Sequence, residues 1–133
     1  MFRISQLLKT FHDDIPAPSP KEMARKMPGP VVIWNLIRRC NLQCKHCYST
    51  SLDIDFKDEL TTEQIKATID DLKVAQVPVL ILSGGEPLLR PDIFEITAYA
   101  KAKGFYVALS TNGTLINEEN IERIKAAEYQ YVG

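Results

Sequence analysis

The sequence predicts an α/β fold in which a parallel sheet is built from successive strand–helix units. From residue 31 onward, short apolar runs alternate with capped amphipathic segments, and short turns join most of them. This alternation is typical of βαβ units, whose crossovers are right-handed. The first apolar run is also nearly continuous, which indicates a parallel strand covered on both faces.

Four strands are expected in order along the chain, and a helix follows each of the first three. The strands are predicted at residues 31–37, 79–82, 105–109 and 129–132. Thr61 and Gln64 form a capping-box pattern that opens the first helix. Asp92 is expected to cap the second helix, which Gly104 ends, and Asn117 to cap the third. The apolar residues predicted to face inward are Ile65, Ile69 and Leu72, then Ile93, Ile96 and Ala100, then Ile121 and Ile124.

Residues 1–30 are predicted to form a separate N-terminal segment, and residues 31–133 the body. Five of the eight prolines and Gly29 indicate an extended arm over residues 13–30. Ahead of the arm, four apolar residues recur at helical spacing and predict a short helix that covers part of the body: Ile4, Leu7, Leu8 and Phe11.

Composition limits the possible partners and compartments. With 16 basic and 17 acidic residues the net charge is −1, which predicts no nucleic-acid partner and no anionic membrane partner. The longest apolar run is residues 77–82. A membrane-spanning helix needs roughly 20 apolar residues and the apolar part of a signal peptide roughly 7, so neither is expected in this sequence. The three cysteines are clustered and odd in number, so they indicate a metal site in the reducing cytoplasm rather than disulfides.

The body is expected to be the N-terminal part of a longer protein. Three strand–helix units and a final strand would leave an open parallel edge, whereas a full barrel of such units takes about 200 residues or more. A short, complete three-layer sandwich is the alternative. On the first interpretation, the chain by itself is expected to be inactive or poorly folded.

The cysteines follow the first predicted strand with the spacing C-x3-C-x2-C, at Cys40, Cys44 and Cys47. Three thiolates in one loop can hold three corners of a four-iron cubane and leave the fourth iron open to a small chelating ligand. Zinc is an alternative, but a structural zinc site takes four ligands, and His46 is poorly placed beside Cys47. A simple electron carrier and three inert buried cysteines are the remaining alternatives.

Three motifs, each at the end of a predicted strand, resemble those of the radical SAM (S-adenosylmethionine) enzymes. The cysteine triad follows the first strand, residues 83–87 (SGGEP) the second and residues 110–113 (STNG) the third. Sites of parallel α/β folds and barrels lie at that edge of the sheet. The resemblance implies the first half of a partial (β/α)6 barrel, with a [4Fe–4S] cluster on Cys40, Cys44 and Cys47 and SAM on the open iron.

The resemblance further implies that the reduced cluster cleaves SAM to a 5′-deoxyadenosyl radical, which abstracts hydrogen from a substrate. Gly84 and Gly85 are expected to let the backbone approach the methionine part of SAM. Glu86 is expected to accept from its ammonium group, and Ser110 and Asn112 to contact its ribose or carboxylate. The alternatives are a simple Gly-Gly turn, a solvated loop acid and an Asn-Gly turn.

Two further residues of the cysteine loop are expected near the adenine of SAM. His46 stands where the family usually has an aromatic residue, and stacking is favoured over metal ligation. Tyr48 is expected to cover the adenine or the cluster, with plain packing as the alternative. Arg38, Arg39 and Lys45 surround the loop. They could contact an acidic electron donor of the flavodoxin or ferredoxin type, or simply be solvated surface charges.

Residues 28–40 and 77–94 also resemble the tetrapyrrole-modifying branch of the family, in particular its members in haem d1 biosynthesis, and residues 1–8 are similar as well. This likeness implies removal of propionate side chains from a sirohaem-derived tetrapyrrole. The alternatives are the branches of alternative haem synthesis and of peptide-modifying maturases, which share the N-terminal half.

Overall fold

Four parallel strands form one sheet in a computed structural model that describes residues 29–133. The strands lie in the order β1 (Val31–Asn35), β2 (Val79–Ser83), β3 (Tyr106–Leu109) and β4 (Tyr131–Val132). The helices are α1 (Thr62–Val74), α2 (Ile93–Ala102) and α3 (Ile121–Ala127), with a 3-10 turn at Pro87–Leu89. The predicted α/β fold is therefore confirmed. The predicted N-terminal helix, and the arm up to residue 28, lie outside the described residues.

The register of the sheet places the three motif loops at one edge. Asn35 pairs with Ser83, and Leu82 pairs with Leu109, so β1, β2 and β3 end almost level with one another. The loop after each strand therefore leaves the sheet beside the other two. This is the edge at which the cysteine loop, residues 83–87 and residues 110–113 meet.

The core lies between the sheet and the helices α1 and α2. Its members are fully or almost fully buried and form one apolar cluster, which includes Leu80, Leu82, Val107 and Leu109 of the sheet and Ile65, Ile69, Ile93 and Ile96 of the helices. The opposite face of β1 is open, since Val31 and Ile33 are 54% and 62% exposed. Within residues 29–133 only the face of β1 that carries Val32 and Trp34 packs against the core, so the expectation that the first strand is covered on both faces is wrong there.

The helix ends agree with the sequence only in part. The capping box of α1 is present, with Thr61 and Gln64 each accepting from the other's backbone N–H. Asp92 stands at the N-cap of α2 but makes no capping hydrogen bond, because its carboxylate binds other side chains. The predicted cap at Asn117 is wrong, since α3 begins at Ile121. Asn117 Oδ1 instead accepts from the backbone N–H groups of Glu119 and Asn120, in the turn that precedes α3.

Each of the four strands differs from its predicted range at one end: β2 ends one residue later, at Ser83, and β4 begins two residues later, at Tyr131. The first strand ends at Asn35 rather than residue 37, because the chain turns there into the segment that leads to the cysteines. Phe105 precedes β3, and its N–H donates to Ala100 O at the end of α2 instead of joining the sheet. Gly104 follows α2 as predicted, with a φ of 83° that favours glycine.

None of the helices within residues 29–133 combines the length and apolarity that crossing a bilayer requires.

A partly buried ion pair joins the start of α2 to the end of β1. Arg90 Nε lies 2.7 Å from Asp92 Oδ1, and the two side chains are 8% and 14% exposed. Arg90 also donates to Leu36 O at 3.1 Å and to Leu60 O at 2.8 Å, and Thr62 Oγ1 donates to Asp92 Oδ2 at 2.6 Å. Burial raises the pKa of Asp92, but the hydrogen bonds from Thr62 and Arg90 and the charge of Arg90 outweigh it, and the pKa is lowered.

The Asp92→Asn variant is expected to lose about 2 kcal/mol of unfolding free energy at pH 7, since a charge-assisted contact is removed. The pKa of Asp92 is lower in the folded state than in the unfolded state. The ionised carboxylate therefore makes its full contribution to the free energy of unfolding above the unfolded-state pKa of about 3.9, and this contribution disappears as the pH falls through the folded-state pKa. Urea denaturation at pH 7 and below pH 4 measures this difference. The Asp71→Asn variant, exposed on α1, is the matched control. An equal loss of stability in both variants at pH 7 would contradict the prediction.

Candidate functional site

The loop after β2 is fastened by its backbone to the segment that leads into the cysteine loop. Gly85 N donates to Ile37 O at 2.6 Å, and Glu86 N donates to Arg39 O at 2.8 Å. Cys40 N donates in turn to Leu52 O at 3.1 Å. The backbone that leads into Cys40 is therefore held by hydrogen bonds within the chain.

Both glycines of this loop are required by close backbone approach. A Cβ on Gly85 would lie 2.6 Å from Arg39 C and 2.7 Å from Arg38 O, with Arg39 O closer still. Gly84 has a φ of 150°, and a Cβ there would lie 3.0 Å from Ile37 N. The chain's own backbone thus gives a reason for both glycines that sequence analysis did not find. Their approach to the methionine part of SAM stays a prediction.

Glu86 is fully buried and holds two loops together. Its Oε1 accepts from Leu88 N at 2.9 Å and from Thr111 Oγ1 at 2.8 Å, while Oε2 accepts from Asn112 N at 2.8 Å. The alternative of a solvated loop acid is therefore wrong. Since a carboxylate has about four acceptor positions, one remains for a further donor. Thr111 was not among the predicted site residues, although it stands inside the third motif.

Asn112 connects the loop after β3 to the cysteine loop. Its Nδ2 donates to Asn41 Oδ1 at 2.9 Å and to Cys40 Sγ at 3.7 Å. Residues 110–113 therefore do more than turn the chain. Asn41, which also donates to Thr114 Oγ1, was missed by sequence analysis, and its place directly after Cys40 was the available signal. Ser110, predicted to contact SAM, is exposed at the end of β3.

The three cysteines differ in burial. Cys40 is 8% exposed, whereas Cys44 and Cys47 are exposed, and all three are free thiols. The alternative of three buried cysteines is therefore wrong for two of them. Cys47 N donates to Cys44 O at 3.1 Å, which closes a tight turn between them. Within residues 29–133 no three cysteine, histidine or carboxylate side chains converge on one point suited to a metal ion.

The sulfurs of Cys40 and Cys47 both have hydrogen-bond partners, and those of Cys40 are N–H donors, which suit a thiolate. Cys40 Sγ accepts from Leu42 N at 3.4 Å as well as from Asn112. The Cys47 thiol donates to Ser49 O at 2.8 Å, and the Ser49 hydroxyl lies 3.4 Å from the same sulfur. The side-chain hydrogen bond with Ser49 is the largest cause of a lowered pKa at Cys47. A lower thiol pKa increases the thiolate fraction, which is the form that binds metals.

The two residues predicted to lie near the adenine occupy the solvent-exposed side of the loop. Tyr48 is 76% exposed, and its hydroxyl donates to Asn35 Oδ1 at 3.0 Å, across the end of β1. His46 is also exposed. Both side chains are therefore accessible to a ligand at this edge of the sheet.

The cations around the loop are unequal. Arg39 pairs with Asp53 at 2.8 Å and with Asp55 at 2.7 Å, so its charge is already compensated. The Arg38 guanidinium lies over the Phe56 ring, 4.1 Å from its centroid. Lys45 is exposed. Of the three cations that could contact an electron donor, Arg39 is therefore the least suited to do so.

Comparison with known proteins gave matches of three kinds: a family model, related proteins and a solved structure. The family model described as "Radical SAM superfamily" matches residues 34–133. The chain is 50% identical over 133 residues to pre-heme d1 synthase of Dinoroseobacter shibae, covering 100% of this chain and 32% of that protein. It is 46% identical over 129 residues to Fe-coproporphyrin III synthase of Methanosarcina barkeri, covering 97% of this chain and 32% of that protein. The chain thus spans about a third of the length of these relatives.

A solved structure of Streptococcus suis SuiB bound to S-adenosylmethionine has a similar fold. The TM-score is 0.63 at 19% identity, covering 97% of this chain and 33% of that one. At this level of identity the likeness concerns the fold alone. It agrees with the parallel sheet and the helices described above.

Proposed function

Because the chain belongs to the radical SAM superfamily, we propose that it is the cluster-binding part of an enzyme that modifies a tetrapyrrole with SAM. Members of this family use a [4Fe–4S] cluster and SAM. When bound, the cluster supplies the electron that cleaves SAM to a 5′-deoxyadenosyl radical. The observation that carries the proposal is that hydrogen bonds join the three motif loops to one another at the carboxyl edge of the sheet.

The cysteine residues suit the cluster chemically. Thiolates are the usual ligands of iron–sulfur clusters, and three of them leave one of four irons free of protein ligands. Cys40 is fixed by its buried position and by the bond from its N–H to Leu52 O. Cys44 and Cys47 are exposed. We therefore propose Cys40, Cys44 and Cys47 as the residues that would hold the cluster, Cys40 from a buried position and the other two from the exposed part of the loop.

The proposed SAM contacts surround this loop. The backbone of Gly84 and Gly85 and the remaining acceptor position of Glu86 are proposed for the methionine part. Ser110 and Asn112 are proposed for the ribose or carboxylate. The exposed rings of His46 and Tyr48 are proposed near the adenine, because aromatic rings stack on one another.

The proposed substrate is a sirohaem-derived tetrapyrrole that loses propionate side chains on the way to haem d1. The supporting finding is that two relatives at 50% and 46% identity are named for haem d1 and iron–coproporphyrin synthesis. A flavodoxin or ferredoxin is the proposed electron donor, in a reducing cytoplasm that suits free thiols. Residues 31–133 are proposed as the N-terminal part of the radical SAM core, preceded by residues 1–30 as a helix and arm.

The proposal is tested with the natural full-length protein, reconstituted anaerobically with iron and sulfide. It is then mixed with SAM, dithionite and didecarboxylated sirohaem. The expected results are four irons held by these three cysteines, release of 5′-deoxyadenosine, and a tetrapyrrole product with fewer propionate groups by mass spectrometry. Release of 5′-deoxyadenosine with an unchanged tetrapyrrole would overturn the substrate and favour a peptide. A colourless protein that holds zinc would overturn the whole proposal.

A further inference from the structure

The orientation of the Asn112 side chain is determined by its neighbours. Its Oδ1 accepts from Thr114 N at 2.9 Å and from Thr114 Oγ1 at 2.7 Å. A backbone N–H can only donate, so the atom facing Thr114 must be the amide oxygen. The Nδ2 group must then face Asn41 and Cys40, as observed.

A ring of hydrogen bonds keeps this orientation. Asn112 Nδ2 donates to Asn41 Oδ1, Asn41 Nδ2 donates to Thr114 Oγ1 at 2.8 Å, and Thr114 Oγ1 donates to Asn112 Oδ1. The second N–H of Asn112 Nδ2 is left for Cys40 Sγ at 3.7 Å, a separation compatible with the large sulfur atom.

The backbone of Asn112 is fixed from the opposite side. Its N–H donates to Glu86 Oε2, and Glu86 is fully buried and also holds Thr111 Oγ1. A buried carboxylate with three donors has little freedom to move. Glu86 in the loop after β2 therefore positions Asn112, and Asn112 reaches the first cysteine after β1.

We infer that Asn112 is a positioning residue that donates a hydrogen bond to the Cys40 thiolate and raises the reduction potential of the cluster bound there. The inference rests on the proposed function. Reduction adds negative charge to the cluster and its sulfur ligands, so an N–H donor stabilises the reduced form more than the oxidised form. Hydrogen bonds to ligand atoms are a general means by which proteins adjust a metal centre.

The test is a redox titration of the reconstituted full-length protein without SAM, followed by the EPR signal of the reduced cluster. In the Asn112→Asp variant the donor is lost, and the potential is expected to fall by about 59 mV, a tenfold change in the reduction equilibrium of a one-electron couple. The Asn112→Ala variant, which adds no charge, is expected to shift in the same direction. The Asn41→Asp variant adds a charge beside Cys40 but keeps an acceptor for Asn112, and it should shift less than Asn112→Asp.

Several outcomes would decide the inference. Potentials equal to wild type in both Asn112 variants, or equal shifts in Asn41→Asp and Asn112→Asp, overturn it while the proposed function stands. A wild-type protein that binds no cluster overturns both. An Asn112 variant that loses iron but keeps the wild-type circular dichroism overturns the inference, because Asn112 is then needed to retain the cluster rather than to adjust its potential. A variant that loses its fold as well overturns it, because Asn112 is then a structural residue.

Discussion

Replacing Cys44 by alanine is expected to prevent assembly of a four-iron cluster and to lower 5′-deoxyadenosine release by more than about 100-fold. Changes outside the ligands typically cost about 10–100-fold, and the loss of a ligand costs more. Cys44 is the most informative of the three cysteines, because its side chain is exposed and the Cys47 N–H contact uses its backbone oxygen. Its removal therefore takes away a sulfur ligand with little effect on packing, whereas Cys40 is buried.

The matched control for this experiment is the Lys45→Ala variant, an exposed change in the same loop. With dithionite as the reductant, it is expected to keep the iron content and the product yield of wild type. Iron and sulfide analysis together with chromatography of the nucleoside product measure both variants. A Cys44→Ala protein that retains four irons and releases product at the wild-type rate would show that this thiol is not a ligand.

The second large effect is expected for the Gly85→Ala variant, which should destabilise the protein by about 3 kcal/mol or more or prevent folding. The new Cβ would lie 2.6 Å from Arg39 C and 2.7 Å from Arg38 O, closer than real Cβ contacts. Backbone cannot yield as the end of a flexible side chain can, so the segment before Cys40 must move. The hydrogen bonds from Gly85 N and Glu86 N to that segment would be lost with it.

Gly113→Ala provides the comparison for this prediction. Gly113 belongs to the third motif and has a φ of 75°, but a Cβ there would meet no atom within 4 Å. Gly113→Ala is expected to lower the free energy of unfolding by about 1–2 kcal/mol, which is the cost of placing alanine in a left-handed conformation. Denaturant unfolding of both variants measures the difference. If Gly85→Ala is no more destabilising than Gly113→Ala, the close approach of the two loops is not a feature of the folded protein.

The sheet and the helices could be predicted because local sequence signals and packing agree. Thr61 and Gln64 match the capping-box pattern that starts a helix, a continuous apolar run identifies β2, and alternating apolar residues identify β3. The open face of β1 could not be predicted, because an apolar run does not show whether other parts of the chain cover one face of the strand or both. Asp92 departed from its expected capping role because Arg90 and Thr62 compete for its carboxylate.

The motifs were found from the cysteine spacing, from a family resemblance and from their places after predicted strands, but their contacts could not be predicted. A sequence shows that Glu86 follows two glycines, yet not that its oxygens are engaged by Leu88, Thr111 and Asn112. The contact between Asn112 and Cys40 spans 72 positions in the chain and exists only because β1, β2 and β3 end level. Such contacts depend on the register of the sheet, which local patterns do not specify.

EPR spectroscopy of the reduced cluster, before and after addition of SAM, tests the central claim most directly. If the three thiolates of Cys40, Cys44 and Cys47 leave one iron free, SAM binds there and the spectrum of the full-length protein changes. A protein that holds four irons through these cysteines, yet gives the same spectrum with and without saturating SAM, would contradict the account.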